Sequence, residues 1–225
     1  MSFGIKLHIW GEFACFTRPE MKAERVSYDV ITPSAARGVL EAIYWKPQIR
    51  WVIEKIHVLK PIRFTSIRRN EVGKKMPAPD KKVMNGEKPP TPLLIEDERQ
   101  QRASLILRDV AYVIEARIDL IDSSEPIGKH YEIFHRRARR GQYFHHPYLG
   151  TREFPANFTL IEPETELPSV HPDLIGKNNL GFMLHDIEFD QDPRTKKVKS
   201  TTPRFFRAEM TDGVITVPPF HLSVA

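Results

Sequence analysis

The sequence predicts an α+β fold in which two helices pack on a mainly antiparallel sheet. Segments with strand-like alternation and segments with helix-like spacing follow one another in the order strand, helix, strand, strand, helix, strand. After the second helix, only strand-like segments and turn signals follow. A chain of 225 residues that is 40% hydrophobic can bury one sizeable core, or a main core with a small satellite.

The first predicted elements are a strand and a helix. Apolar and polar residues alternate over residues 4–10, which is the period of a half-buried strand. Thr32 can cap a helix, and Pro33 suits its first position. Pro47 ends that helix because the residue before a proline is disfavoured in the helical conformation. Tyr44 is therefore expected at the C-terminal end of the helix.

Two more strands flank a basic connection. Residues 51–59 are expected to be one strand and residues 105–120 a longer one, in which alternate apolar side chains share a face. The connection between them is rich in Pro, Lys and Gly, which predicts a long basic hairpin or mobile arm near residues 63–100. Residues 60–85 hold eight Lys or Arg against two acids. The arm is thus the first basic cluster of the chain.

A second helix carries the other basic cluster. Ser124, or a neighbouring residue, and Pro126 are expected to begin it, and Gly141 can end it in a left-handed conformation. A fourth strand is expected at residues 158–161. The resulting order is that of a ferredoxin-like (RRM-like, βαββαβ) unit, which we assign to an RNA-binding and catalytic domain of residues 1–162.

The C-terminal part is expected to form a small antiparallel β-sheet domain of residues 163–225. Residues 180–190 and 205–217 are strand-like, and Asp212-Gly213 is a tight hairpin signal. No further helix is evident in this part.

Charge is distributed unevenly along the chain. The net charge of +5 and the pI near 9.3 are moderate, so local clusters matter more than the total. Residues 129–152 hold six Lys or Arg against one acid, whereas residues 162–192 hold eight acids against the single Lys177. Guanidinium groups match phosphate oxygens, which makes RNA the first partner to test.

Composition excludes several other classes of protein. Cys15 is the only cysteine, which rules out an intrachain disulfide framework and a zinc site built from several thiolates. No run of eighteen apolar residues occurs, and neither a P-loop, a GxGxxG nor an HExxH motif is present. We therefore expect a cytoplasmic protein with no membrane association, no cofactor and no catalytic metal.

Lys129 and His130 are expected in the first turns of the second helix, where backbone N–H groups and the helix dipole favour an anion. The dipole disfavours a charged imidazole, so His130 is a candidate proton acceptor. These residues suit metal-free RNA cleavage, in which the 2′-OH attacks the adjacent phosphorus and leaves a 2′,3′-cyclic phosphate and a 5′-OH. Tyr44 could position the 2′-OH or donate to a phosphate oxygen.

Plainer interpretations of the same residues remain open. A histidine near a helix start is more often a capping or surface residue than a catalyst. The arginine run of the second helix could be a solvated face, and Tyr44 could be a core aromatic at a helix end. On residue chemistry alone, RNA binding is favoured over RNA cleavage.

The chain nevertheless resembles a known family: the type I-C (Dvulg) CRISPR-associated repeat-processing endoribonucleases, in the fifth Cas family of the RAMP superfamily. The matching segments span nearly the whole chain from Gly4 to the strand at Phe158, and their combination is specific. They are Trp10-Gly11, Ala14 to Pro19, Glu24 to Tyr28, Thr32 to Ala36, Glu41 to Pro47, His57 to Ile62, Arg68 to Glu71, Gly128 to His130, Gly141-Gln142 and Pro147 to Phe154.

The resemblance implies a function and a site. Its catalytic group, a tyrosine in the IYWKP segment and the Lys-His of the GKH segment, falls on Tyr44, Lys129 and His130. The implied activity is metal-independent cleavage of CRISPR repeat RNA, after which the protein stays bound to the guide RNA as a subunit of the type I-C effector complex.

A hairpin repeat would be recognised mainly by shape, phosphates and flanking single-stranded nucleotides. The residues expected to position it on the protein are Arg68, Arg69, Lys74, Lys75, Arg136, Arg137, Arg139 and Arg140. Two alternatives stay open: a non-catalytic RNA-binding subunit that caps the 5′ handle of the guide, and a general nucleic-acid binder that also binds double-stranded DNA.

Overall fold

The structure is a computed structural model that describes residues 4–21, 23–76, 78–90, 92–192, 194–195 and 197–225. Pro77 and Thr91 of the predicted arm lie outside the described residues. The helices and strands are β1 Gly4–Ala14, α1 Pro33–Ile43, β2 Ile49–Val58, β3 Phe64–Val72, α2 Lys81–Met84, α3 Ile95–Glu98, β4 Arg99–Leu120, α4 Ile127–Arg139, β5 Asn157–Ile161, β6 Lys177–Gln191, β7 Val198–Thr211 and β8 Val214–Thr216.

The strands form one eight-stranded sheet. Its order is β5-β1-β4-β2-β8-β7-β6, and β3 pairs with β4 outside this path. Every pair of these strands is antiparallel. The predicted α+β class is therefore confirmed. Among the described residues, no helix is both long and apolar enough to cross a membrane.

The caps of α1 follow the sequence prediction. Thr32 Oγ1 accepts a hydrogen bond from the backbone N–H of Ala35 at 3.2 Å, and Pro33 begins the helix. The helix stops at Ile43, and Tyr44 occupies the C-cap in an extended conformation. The chain thus leaves the helix at the tyrosine that the sequence analysis singled out.

The start of α4 differs from the prediction. Ser124 does not cap the helix, because its hydroxyl donates to Asp122 Oδ2 at 3.1 Å in the preceding turn. Pro126 takes the N-cap position without a side-chain hydrogen bond. At the other end, Gly141 has φ of 63°, the left-handed conformation expected of it.

Strand β3 was not predicted as a separate element. It pairs with the first part of β4 in a nine-residue ladder from Phe64–Leu107 to Val72–Arg99. No residue of β3 is buried. The segment has no core-facing side of apolar residues, which is the pattern by which a strand of the main sheet is recognised from sequence. Asp212 and Gly213, with φ of 50° and 77°, form the predicted tight turn, here between β7 and β8.

Helices α1 and α4 pack on the sheet and contact each other. Val39 and Leu40 of α1 and Phe134 of α4 belong to the main buried cluster. The Trp51 ring of β2 meets Phe134 edge-on, with ring centroids 4.8 Å apart. This packing brings the end of α1 to the beginning of α4, where the candidate catalytic residues lie.

Candidate active site

Tyr44 is held rigidly at the end of α1. Its backbone N–H donates to the Leu40 carbonyl at 2.9 Å, and its carbonyl accepts from Trp51 Nε1 at 2.9 Å. The residue is almost completely buried. The hydrogen bonds of its N–H and its carbonyl therefore fix the backbone from which the Tyr44 ring extends.

His130 lies in the first turn of α4 and hydrogen bonds to Tyr44. The distance from Tyr44 Oη to His130 Nδ1 is 2.8 Å, across 86 residues of sequence. Burial raises the pKa of Tyr44, and nearby Glu125 raises it further, while Arg137 and Lys129 oppose them. Because the phenol keeps its proton, its O–H can donate to Nδ1, and in that arrangement His130 carries a proton on Nε2.

The second imidazole nitrogen faces a carboxylate that the sequence analysis missed. His130 Nε2 is buried without a hydrogen bond among the described residues, and Glu125 Oε2 lies 3.5 Å from it. The other oxygen of Glu125 accepts from Lys129 Nζ at 2.5 Å, and this hydrogen bond lowers the pKa of Glu125. Lys129 and His130 thus share one anion. The i,i+4 spacing of Glu125 and Lys129 was the available sequence signal.

Arg137, expected to bind RNA, also belongs to this site. Its Nη1 donates to the Ile43 carbonyl at 2.8 Å, and its Cζ lies 5.3 Å from the centroid of the Tyr44 ring. A guanidinium this close to an aromatic face stabilises the ring position and adds positive charge beside the hydroxyl.

Tyr44 lines an open surface cleft of about 660 Å³. His130 has no exposed side-chain surface and lies behind Tyr44, whereas about half of the Lys129 side chain is exposed. We call this feature the Tyr44 cleft. It is lined by Glu41, Tyr44, Trp45, Lys46, Pro47, Arg137, Phe144 and His145.

The other candidate RNA-binding residues lie on two elements, the β3 hairpin and α4 with its C-cap. Arg69 pairs with Glu71 at 2.9 Å and with Glu153 at 3.2 Å, and Lys74 pairs with Glu98. Arg139 donates twice to Glu162, at 2.6 and 2.8 Å. Four of the eight candidate RNA-binding residues are exposed and have no ion pair within 4.0 Å in the described part of the chain. They are Arg68, Lys75, Arg136 and Arg140.

A search of the described residues finds no group of three or more His, Cys, Asp or Glu side chains placed to hold a metal ion. The polar side chains that contact one another at this site are Tyr44, His130, Glu125 and Lys129, and Arg137 lies beside the Tyr44 ring.

The fold and the site together define an α+β protein with a buried tyrosine–histidine pair beside a cation-lined cleft. The family model described as CRISPR-associated protein (Cas_Cas5) matches residues 4–218. The chain belongs to this family, in its Cas5d branch.

Two curated relatives have the same family name. The "CRISPR pre-crRNA endoribonuclease Cas5d" of Mannheimia succiniciproducens is 54% identical, over 98% of this chain and 97% of the relative. The protein of the same name from Thermus thermophilus is 44% identical, over 95% and 91%. A crystal structure of a CRISPR-associated protein is 23% identical in sequence and superposes with a TM-score of 0.68. The match covers 100% of this chain and 96% of the other chain, which supports the fold.

Proposed function

We propose that this protein is a pre-crRNA endoribonuclease that cuts CRISPR repeat RNA without a metal ion. The observation that carries the proposal is the 2.8 Å hydrogen bond between Tyr44 Oη and His130 Nδ1 at the edge of the Tyr44 cleft. Two relatives that match nearly the whole chain are named CRISPR pre-crRNA endoribonucleases. Tyr44, Lys129 and His130 are the proposed catalytic group.

The geometry supports a proton relay. Tyr44 lines the cleft, although it is almost completely buried in the free protein, and His130 has no exposed surface. The phenol is therefore the member of the pair that we expect to meet RNA. The Tyr44 oxygen takes the proton of the 2′-OH while its own proton passes to His130 Nδ1. The 2′-oxygen then bonds to phosphorus and the bond to the 5′-oxygen breaks, which leaves a 2′,3′-cyclic phosphate. The departing 5′-oxygen takes a proton from solvent, and His130 later returns its extra proton through the Tyr44 hydroxyl.

Lys129 supplies the positive charge that this reaction needs. The phosphorane carries negative charge that a fixed cation stabilises. Lys129 is paired with Glu125 in the free protein, at the N-terminal end of α4. A scissile phosphate replaces this carboxylate as the partner of Lys129 when RNA binds, and the end of the helix favours the same anion.

We further propose that residues 1–162 form a ferredoxin-like unit and that residues 163–225 form a β-sheet appendage to it. The neighbouring strands β5-β1-β4-β2 and the connections through α1 and α4 support the first part. The appendage extends the same sheet, since β8 pairs with β2. After cleavage the protein stays on the crRNA in the cytoplasm, as a subunit of the type I-C effector complex.

The test is incubation of the purified protein with repeat RNA in EDTA. We expect wild-type cleavage to continue and to give 5′-OH products. His130→Ala should lose cleavage while it binds the repeat with nearly wild-type affinity, because the buried imidazole does not contact RNA. An inactive wild-type protein that binds the RNA tightly would favour the non-catalytic subunit. Equal affinity for unrelated double-stranded DNA at physiological salt would favour the general nucleic-acid binder.

A further inference from the structure

Two large aromatic side chains stand exposed on the Tyr44 cleft. Trp45 is 52% exposed and Phe144 is 84% exposed, although both lie next to well-packed segments. Aromatic side chains of this size bury large apolar areas when a partner is available. Their exposure in one cleft indicates a surface that is covered when the protein works.

Both aromatic residues are fixed to the end of α1. Trp45 follows the C-cap Tyr44 directly. The backbone N–H of Phe144 donates to the Ala42 carbonyl at 2.8 Å, which ties the loop after α4 to α1. The backbone of both residues is thus tied to the helix end that also positions Tyr44. A preorganised aromatic surface binds with less loss of conformational freedom than a mobile one.

The charges of the cleft select an anionic occupant. Lys46 and Arg137 line the cleft, and Lys46 has no ion pair within 4.0 Å among the described residues. Glu41 is the acid of the lining, and Arg37 pairs both with it at 2.6 Å and with Asp186 at 2.9 Å. Lys46 and Arg137 therefore outnumber the acidic residues that line the cleft. A ligand that has flat apolar faces as well as negative charge fits this combination, and an unpaired nucleotide has both.

We propose that Trp45 and Phe144 form a stacking subsite for an unpaired base of the RNA strand beside the scissile linkage. This inference rests on the proposed function, because it uses Tyr44 to locate the cut. A base within a duplex is covered by its neighbours, so the subsite binds single-stranded nucleotides that flank the repeat stem. Stacking is tolerant of base identity, since every base has a π-face. The subsite therefore sets the distance from stem to cut and does not select one sequence.

The experiment measures the binding of an uncleavable repeat RNA that carries a 2′-deoxynucleotide at the mapped cut site. Trp45→Ala should weaken binding about tenfold to a hundredfold. Phe144→Ala, a change at a highly exposed residue that leaves the core intact, should weaken it in the same direction. Trp45→Phe should retain most of the affinity. Phe189→Ala is the matched control, because Phe189 is 53% exposed on β6 and does not line the cleft.

A scan of abasic nucleotides along the unpaired RNA makes the test specific. At one RNA position, Trp45→Ala should cause no further loss of affinity once the base has been removed. The reason is that the base and the Trp45 ring contribute a single shared interaction, which either change abolishes. Unchanged binding by both alanine variants, or an equal loss with every abasic RNA, would overturn the subsite and point to a protein partner. Cleavage of all-ribose RNA is followed in parallel. If the effects of Trp45→Ala and of one abasic position depend on each other but the RNA is not cut, only the enzymatic proposal is contradicted. If the RNA is cut but these two effects are independent, only the stacking subsite is contradicted.

Discussion

Tyr44 and His130 work as a unit in this account, because one hydrogen bond joins them and one of them alone reaches the cleft. Replacement of Tyr44 by Phe removes the hydroxyl and keeps the ring. We expect cleavage to slow by about 10²- to 10⁴-fold, the usual contribution of a positioned proton-transfer group. RNA binding should change little.

Combination of Tyr44→Phe with His130→Ala tests the relay itself. The double variant should be no slower than the slower single variant, since either change breaks the same proton path. The measurement is single-turnover cleavage at saturating protein, with the exposed Tyr143→Phe as the control. Losses that multiply would show that the two residues act separately.

The sequence predicted the members of this site better than their arrangement. Pro33 and Pro47 bracket α1, so the position of Tyr44 at its end follows from local rules. The contact between Tyr44 and His130 depends on how α1 packs against α4, a long-range arrangement that neither segment encodes alone. Glu125 was missed because it precedes the helix, where the expected cap was Ser124.

Among the elements, α4 presents two different kinds of arginine. Arg136 and Arg140 are exposed without an ion pair within 4.0 Å among the described residues, and their spacing of four places them on one face of the helix. Arg139 is already neutralised by Glu162, whose pKa is lowered chiefly by the hydrogen bond from Arg139. The first face is thus the better candidate for phosphate contacts.

Salt dependence distinguishes these arginines. The double variant Arg136→Ala/Arg140→Ala should reduce the magnitude of the negative slope of log K against log salt for repeat RNA by about 1.4 to 1.8, the value for two lost phosphate contacts. Arg139→Ala should change the slope much less. The measurement is RNA affinity over a range of salt concentrations. An equal decrease for Arg139→Ala would contradict the assignment of the RNA-binding face.

The arm shows where sequence patterns stop being informative. Buried positions recur along residues 51–58, and residues 110, 112, 114, 116 and 118 are all buried, so these strands were predictable from the period of their apolar residues. Ala111 and Val113, on the opposite face, are buried in a second small cluster. Strand β3 has no buried residue and is held by its ladder to β4, by the ion pair of Arg69 with Glu153 and by the hydrogen bond from Arg69 to Ser104 at 3.0 Å. Such a strand has no apolar pattern from which it could be recognised.

For the whole molecule, the continuous sheet ties the C-terminal strands to the rest. Strand β8 joins β2 to β7, and Met210 and Ile215 belong to the main buried cluster. The division into a ferredoxin-like domain and a small β-sheet domain at residue 162 stays a prediction, and the described sheet continues across it. We therefore treat stability as a property of the complete chain.

Stability should fall as the pH decreases below about 6.5. Burial is the largest cause that lowers the pKa of His8, His135 and His185 below the usual 6.5. As the pH falls, the native state therefore binds fewer protons than the unfolded chain. The free energy of unfolding becomes smaller as the pH is lowered. Carboxylates with a lowered pKa, such as Glu162, add to this loss only below their usual value of 4.5.

Urea unfolding between about pH 7.5 and pH 5 measures this dependence. His185→Gln should flatten the curve, because it removes one of the three histidines whose pKa is lowered by burial. His185 contacts Ser223 at 2.6 Å, so the variant is also expected to be less stable throughout. A stability that rises between pH 6.5 and pH 5 would contradict the proposed sign.

The central claim is that the RNA supplies its own nucleophile and that Tyr44 and His130 remove its proton. Replacement of the single ribose at the mapped cut site by 2′-deoxyribose tests this most directly, because it removes the nucleophile and leaves nearly every other contact in place. The account predicts that the protein binds this RNA normally and no longer cuts it at that position. Continued cleavage at the same linkage would contradict the account and require an attacking water in place of the 2′-OH.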